Sequence, residues 1–166
     1  PNILDERFKG TELEVSFLGK LTSTQETAVS DLIGHDNGVF VAPAGTGKTV
    51  IGIYLIAARA TNTLVVVHRR PLLEQWRSQL ASFLGISLTQ IGQIGGGKNR
   101  KTGLIDVAML QSLISKGQVE DIVAQYGQVI IDECHHLPAF TFEQVLRQVR
   151  ARYVIGLTAT PYRREV

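Results

Sequence analysis

The sequence predicts an α/β fold in which helices cover both faces of a mostly parallel sheet. Short apolar runs, rich in Val and Ile, alternate with segments of helical periodicity along the whole chain, which is typical of buried parallel strands joined by crossover helices. In addition, residues 39–49 read as a strand, a turn rich in Pro and Gly, and the start of a helix, the arrangement of a phosphate-binding loop. The chain is therefore predicted to bind a nucleoside triphosphate.

The composition indicates one ordinary globular domain. The 166 residues are 44% hydrophobic and 19% charged, which argues against disorder. The formal net charge of +2 is too small to indicate a nucleic-acid partner by itself. The basic clusters at 98–101 and 163–164 are compatible with such a partner or with solvated loops.

A single cysteine, Cys134, excludes an intramolecular disulfide and a cysteine-rich metal site. It fits a reducing, cytoplasmic setting. No apolar run is long enough to span a membrane, and residues 1–9 lack the pattern of a signal peptide. Because the sequence begins with Pro1 rather than Met, we expect it to be an excised piece of a longer protein.

The first half of the chain contains the phosphate loop and the elements around it. Residues 13–17 alternate and predict a strand, so residues 1–20 are read as an N-terminal extension or edge strand and 21–166 as the domain. Thr24 is predicted to cap a helix over 25–32 that ends at Gly34. The next predictions are a helix over 50–60, a buried strand over 64–67, and a helix over 72–84 with Pro71 in its first turn.

The second half continues the alternation. Strands are predicted over 86–91, 105–108, 129–131 and 153–157, with a flexible turn at 95–97 and helices over 119–124 and 141–149. The sequence contains no internal repeat and no low-complexity segment.

The phosphate loop has the residues that a triphosphate requires. Gly45 and Gly47 allow the backbone to approach the phosphates, Lys48 supplies a cation, and Thr49 offers a hydroxyl to Mg²⁺. Ala42 stands where the usual G-x-x-x-x-G-K-[ST] pattern has its first Gly. The alternative is a Gly/Pro-rich turn that is followed by Lys-Thr by chance.

Two carboxylates follow the strand predicted over 129–131, at the end of a strand where open α/β sheets bind their ligands. Asp132 is predicted to hold Mg²⁺, and Glu133 to polarise the attacking water. The alternative is an ordinary acidic exit from a strand into a loop.

Three motifs then identify a family. Residues 132–136, Asp-Glu-Cys-His-His, resemble the DEAD/DEAH-box motif of superfamily 2 helicases, in the form found in type III restriction subunits and repair helicases. Residues 156–161 resemble that superfamily's T-A-T motif, and residues 42–49 its A-P-x-G-x-G-K-T loop, or Walker A motif. The resemblance covers residues 21–164 and implies a RecA-like P-loop three-layer sandwich, the first of the two lobes of such helicases.

The resemblance also assigns the nucleotide site. It implies phosphate binding by the loop and adenine recognition by Gln25, for which a surface glutamine on a helix is the alternative. By the same resemblance His136 couples the nucleotide site to the T-A-T motif. The phosphate loop residues are Ala44, Gly45, Thr46, Gly47, Lys48 and Thr49, and the T-A-T residues are Thr158, Ala159 and Thr160. For His135, a loop histidine with a local hydrogen bond is an equal alternative to a functional role.

Other residues resemble motifs that contact the nucleic-acid backbone. Arg69 and Arg70 lie in a segment similar to motif Ia, where many relatives carry Thr in place of Arg69. Trp76 in the same segment is expected to pack in the core rather than to stack on a base. The candidate contacts are Arg69, Arg70, Gly95, Gly96, Gln111 and Ser112. Met109-Leu110 departs from the polar or aromatic residues common there.

The resemblance thus implies the ATP-binding lobe of an ATP-dependent helicase or translocase that acts on DNA, with RNA as the alternative polymer, and that uses Mg²⁺ and no membrane. Because the arginine fingers of this family belong to a second lobe, the lobe alone is expected to bind ATP weakly and to hydrolyse it poorly. An ATPase that acts on protein and a non-catalytic nucleic-acid-binding module remain as alternatives.

Overall fold

The computed structural model describes residues 7–41, 47–115 and 118–159. The helices are α1 Ser23–Ile33, α2 Lys48–Arg59, α3 Arg70–Leu84, α4 Leu110–Leu113 and α5 Ala139–Gln148. The strands are β1 Asn37–Val41, β2 Thr63–Val67, β3 Gly92–Gly95, β4 Lys98–Arg100, β5 Ile105–Met109, β6 Ile114–Ser115, β7 Gln118–Val119, β8 Gln128–Ile131 and β9 Tyr153–Thr158. Single 3₁₀ turns occur at Leu88–Gln90, Asp121–Gln125 and Cys134–His136.

Seven strands form one sheet in the order β1-β9-β8-β2-β5-β3-β4. All neighbours are parallel except β4, which pairs antiparallel with β3 at the edge. The strands β6 and β7 form a separate two-stranded pair. The predicted α/β fold with a mostly parallel sheet is therefore confirmed.

Both faces of the sheet are covered, as the continuous apolar character of β2 predicts. Val65 and Val67 belong to a core cluster that includes residues of α1, α2 and α3. Leu64 and Val66 point to the opposite face, in a second cluster with residues from α4 and α5. Since successive side chains of a strand alternate between faces, one buried strand supplies both cores.

Two buried polar networks connect the amino ends of the strands. The Asn62 side chain, just before β2, accepts hydrogen bonds from the backbone N–H groups of Thr11 and Gly127 and donates to the carbonyls of Gly103 and Gln125. Asp106 in β5 is fully buried, and its carboxylate accepts from Thr102, Gly103 and the Tyr126 hydroxyl. Burial and this neighbouring carboxylate raise the pKa of Tyr126.

The N-terminal segment corrects one prediction. Residues 13–17 form no strand, although Leu13 is buried and Val15 and Phe17 pack against the same core cluster. The Leu13 N–H donates to the Ala60 carbonyl at the end of α2, and the Leu18 N–H to the Phe83 carbonyl near the end of α3. The alternation thus reflects one buried face of an extended segment that lies on helices. The division into an extension and a domain stays a prediction.

The start of α1 also differs from its prediction. The N-cap is Thr22 rather than Thr24: the Thr22 hydroxyl accepts from the Gln25 N–H, and the Gln25 side chain accepts from the Thr22 N–H at 2.9 Å. This reciprocal pair is a capping box, which requires a Gln or Glu three residues after the cap. Thr24 cannot form a capping box, because the residue three positions after it is Thr27 rather than Gln or Glu.

The predicted strand over 86–91 is wrong. Ser87 caps a 3₁₀ turn over Leu88–Gln90, and the strand begins only at Gly92. Local side chain to backbone hydrogen bonds of Ser87 and Gln90 compete with an extended conformation there. Likewise, the helix predicted over 119–124 is the 3₁₀ turn Asp121–Gln125. Of the glycine turn predicted at 95–97, Gly96 and Gly97 form the turn of the hairpin between β3 and β4, and Gly95 is the last residue of β3.

Candidate nucleotide site and nucleic-acid edge

The candidate catalytic residues lie where the parallel strands end. Asp132 and Glu133 follow β8 directly, and Lys48 begins α2 after β1. The loop residues Ala42 to Thr46, which include the predicted ligands Ala44, Gly45 and Thr46, lie outside the described residues. The described part of the site is therefore the start of α2 and the acidic edge opposite it.

Gly47 is required at the start of α2. Its φ of 76° is in the left-handed region, and a Cβ there would lie 2.3 Å from the Gln25 side-chain nitrogen. Lys48 and Thr49 follow as the first helical residues, so the positive N-terminal end of α2 lies beside the Lys48 cation. This end of the helix can bind phosphates and stabilise their negative charge.

A cleft of about 370 Å³ separates α2 from the acidic edge. It is lined by residues 47–50, by Leu72 and two glutamines of α3, and by Asp132 and Glu133. A cation, a hydroxyl and two carboxylates thus face one space, which fits the donor set that Mg²⁺ and a triphosphate need. Lys48, Thr49 and Asp132 are brought together as predicted, although their roles stay predictions.

Asp132 is buried, and both of its oxygens have a partner. The Trp76 indole N–H donates to Oδ2 at 2.7 Å, and the Glu133 backbone N–H donates to Oδ1 at 2.8 Å. Burial raises the pKa of Asp132 despite these two donors. Each oxygen keeps a second lone pair for a cation. Trp76 is fully buried, as predicted, but its bond to the carboxylate was not foreseen.

The Glu133 side chain lies among basic side chains. Its backbone is left-handed, with φ 48° and ψ 46°, which is uncommon for a residue with a Cβ. The Arg69 Nη2 atom donates to both of its carboxylate oxygens, at 3.3 and 3.2 Å. The Nε2 atoms of His68 and His136 lie 3.7 and 3.8 Å from Oε2. Partial burial lowers the pKa of His68, which favours its neutral form.

The described contact with the T-A-T segment is made by His135, and the coupling role of His136 stays a prediction. The Nδ1 atom of His135 forms a hydrogen bond with the Thr158 hydroxyl, whereas the Nε2 atom of His136 lies near Glu133. The two rings lie against each other, with centroids 3.9 Å apart and planes tilted by 42°, while these two nitrogens reach different partners. Ala159 follows β9, and Thr160 lies outside the described residues.

Gln25 lies beside the phosphate loop. Its side-chain oxygen accepts from the Thr22 N–H in the capping box, and its nitrogen is close to Gly47. The structure therefore ties the start of α1 to the start of α2 through one amide. The adenine contact of Gln25 stays a prediction.

The candidate nucleic-acid residues come together at the same edge. Arg69 and Arg70 follow β2, Gln111 and Ser112 follow β5, and Gly95 ends β3, and these three strands are neighbours. The Gln111 amide donates to the His68 carbonyl at 3.1 Å. A Cβ on Gly95 would lie 2.2 Å from the Ser112 hydroxyl, so only glycine fits there. Gly96 follows in the turn.

Within the described ranges, no group of three or more His, Cys, Asp and Glu side chains could hold a metal ion. The same ranges contain no helix that is long and apolar enough to cross a membrane.

The chain is similar to several known proteins. The family described as type III restriction enzyme, res subunit, matches residues 18–163. The chain is 28% identical over 154 residues to a putative DNA 3'-5' helicase Rad25 of Haloarcula marismortui, with 93% of this chain and 25% of that protein covered. It is 31% identical over 144 residues to DNA 3'-5' translocase XPB2 of Sulfurisphaera tokodaii, with 87% and 31% covered.

A solved structure with a similar fold is the UvsW helicase from bacteriophage T4. It has a TM-score of 0.71 at 18% identity, and the match covers 94% of this chain and 62% of that one. The chain spans about a quarter to a third of the length of the Rad25 and XPB2 relatives.

Proposed function

The chain belongs to the family of the type III restriction enzyme res subunit, and from that membership we propose that it is the ATP-binding lobe of a DNA helicase or translocase. The family match and the named helicase relatives confirm the resemblance to the first RecA-like lobe of superfamily 2 helicases. One observation carries the proposal: Lys48, Thr49, Asp132 and Glu133 line one cleft at the carboxyl ends of parallel strands.

In the proposed mechanism, Lys48 and the N-terminal end of α2 bind the phosphates of ATP. Thr49 and Asp132 hold Mg²⁺, which supplies charge stabilisation at the transferred phosphate. Glu133 orients the attacking water and accepts its proton. The Trp76 indole and the Glu133 N–H fix the Asp132 carboxylate, so that its free lone pairs keep one direction.

The nucleic acid is proposed to lie along the carboxyl ends of β2, β5 and β3. Arginine guanidinium groups, an amide, a hydroxyl and exposed glycine N–H groups contact phosphates without reading the bases. The names of the two relatives favour DNA over RNA. His135 and Thr158 connect this edge to the nucleotide site, as in two-state elements that respond to a γ-phosphate.

A second RecA-like lobe is proposed to complete the site, since the relatives are three to four times as long as the matched segment. We place the protein in the cytoplasm, with support from its single cysteine, which allows no intramolecular disulfide.

The test is ATP hydrolysis by the full-length protein that carries this chain, with DNA and RNA added separately. We expect DNA to raise the rate, and Lys48→Ala or Glu133→Gln to lower the stimulated rate by at least about a hundredfold, because both act at the reacting phosphate. Lys9→Ala and Glu143→Gln are matched controls, because both side chains are exposed and lie outside the cleft.

Two outcomes would contradict the proposal. An unchanged rate on addition of either polymer would favour an ATPase that acts on protein. Nucleic-acid binding without hydrolysis, unaffected by Glu133→Gln, would favour a binding module.

A further inference from the structure

The ion pair between Arg69 and Glu133 lies at the boundary between the two halves of the functional edge. The strands β1, β9 and β8 precede the candidate nucleotide residues, and β2, β5 and β3 precede the candidate nucleic-acid residues. The strands β8 and β2 are neighbours, with Ile131 beside Val66. A contact between the residues that follow them therefore links one half directly to the other.

This contact engages the group that the proposed hydrolysis needs. Both carboxylate oxygens of Glu133 accept from the Arg69 guanidinium. Lone pairs that accept hydrogen bonds from Arg69 are not available to accept one from an attacking water. Glu133 in this arrangement is poorly suited to activate water.

We propose that Arg69 is a positioning residue that holds Glu133 in a resting arrangement, and that a nucleic-acid phosphate frees Glu133 by binding the Arg69 guanidinium. The inference rests on the proposed function, since it explains how nucleic acid would accelerate hydrolysis. Arg69 then has two alternative anions, and only one of them is part of the ATPase site.

The exposure of the pair allows this exchange. The Arg69 side chain is 57% exposed and that of Glu133 is 21% exposed, so a phosphate can reach the guanidinium from solvent. Ion pairs of such exposed arginines are weak, and screening by water and salt lowers their strength further. Guanidinium groups can bind phosphate oxygens through two parallel N–H donors, whereas Arg69 reaches both oxygens of Glu133 through Nη2 alone, so a phosphate can compete for the guanidinium.

The backbone around the pair favours a side-chain exchange rather than a loop movement. The Gln111 amide, in α4 directly after β5, donates to the carbonyl of His68, next to Arg69. On the other side, the Glu133 N–H is held by Asp132. With both backbones fixed, the guanidinium can change its partner by rotation of its own side chain.

The test is steady-state ATP hydrolysis by the full-length protein, with and without DNA. We expect Arg69→Ala to raise kcat in the absence of DNA by about fivefold, the change in population that loss of a surface ion pair permits. KM for ATP should stay unchanged, and the stimulation by DNA should fall correspondingly. Arg147→Ala, which removes an exposed arginine from α5, is the matched control and should leave both rates unchanged.

The inference is overturned if DNA stimulates the unsubstituted protein but Arg69→Ala has an unchanged or lower kcat without DNA. A lower kcat would instead mean that Arg69 supports the active arrangement of Glu133. Arg69→Lys guards against a folding defect: it keeps the charge but replaces the guanidinium by a strongly hydrated ammonium, so kcat should rise in the same direction by a smaller factor. Absence of any rise in this variant also counts against the inference.

These outcomes differ from failure of the proposed function. If neither polymer stimulates the unsubstituted protein, the proposed function fails, whatever Arg69→Ala does. If DNA stimulates the unsubstituted protein and Arg69→Ala has normal basal and stimulated rates, only the inference fails.

Discussion

The two edges of the sheet hold their polar side chains in opposite ways. At the amino ends of the strands, the Asn62 amide makes four hydrogen bonds to backbone groups, and the Asp106 carboxylate accepts four more. At the carboxyl ends, Glu133 is held by one exposed arginine at 3.2 to 3.3 Å. Asn62 and Asp106 are buried, whereas the pair of Arg69 and Glu133 is open to solvent.

The difference has a physical reason. A buried polar group that is fully paired is costly to disturb, because any rearrangement leaves donors or acceptors without water. An exposed pair exchanges partners at little cost, because water takes the place of either one. The buried edge is therefore suited to hold the strands in register, and the open edge to respond to phosphate. The following substitutions test this division, from the largest expected effect to the smallest.

Asn62→Ala should cause the largest loss of stability. It removes four hydrogen bonds and leaves the Thr11 N–H and the Gln125 carbonyl, among others, without their partner. We expect the free energy of unfolding to fall by about 4 kcal/mol. Chemical denaturation measures the loss, with Asn99→Ala, at an exposed position in β4, as the control. A loss of unfolding free energy no larger than that of the control would contradict the view that the buried polar groups hold the strands in register.

Tyr126→Phe should have an intermediate effect. It removes only the hydroxyl that donates to the buried Asp106 at 2.6 Å, so the free energy of unfolding should fall by about 2 kcal/mol. Tyr54→Phe, at a half-buried position, is the matched control. The ATP affinity of folded Tyr126→Phe should equal that of the unsubstituted protein. A selective loss of ATP binding would show that the two edges are coupled.

Asp132→Asn should have the smallest effect on stability and the opposite sign. Because burial raises the pKa of Asp132, folding favours the protonated carboxyl. The stability of the unsubstituted protein falls as the pH rises from the unfolded to the native pKa of Asp132, and an amide avoids this loss. The gain is small, because the amide NH₂ replaces one acceptor oxygen and faces an N–H donor. We expect a slightly higher Tm for Asp132→Asn at neutral pH, measured in EDTA, and a difference that vanishes as the pH falls below the unfolded pKa.

Asp31→Asn, on the exposed side of α1, is the control for this titration. A lower Tm of Asp132→Asn at neutral pH would mean that the bonds from Trp76 and Glu133 need the full carboxylate.

The elements that the sequence predicts correctly are those with local signals. The β-branched run of β2 and the helix from Pro71 to Gly85 follow from periodicity and from the residues at their ends. Where two local signals compete, as between Thr22 and Thr24 at α1, the deciding factor is the reciprocal bond to Gln25. A search for Glu or Gln three residues after each candidate cap would have found it.

The contacts between distant residues could not be predicted. Trp76 and Asp132 are 56 positions apart, and Arg69 and Glu133 are 64 apart. Sequence motifs placed each of these residues at the same edge, but the direction of a side chain depends on the turn that carries it. The left-handed backbone of Glu133 and the turn Cys134–His136 explain why His135, rather than His136, reaches Thr158.

The bond between Trp76 and Asp132 also makes the site visible to spectroscopy. Trp76 is the only tryptophan in the chain, and it is shielded from water. Its indole N–H is bound to the carboxylate that is proposed to receive Mg²⁺. Any change of charge on that carboxylate alters the electric field across the indole ring. The protein thus carries an intrinsic fluorophore at its own nucleotide site, and its emission needs no added label to report on that site.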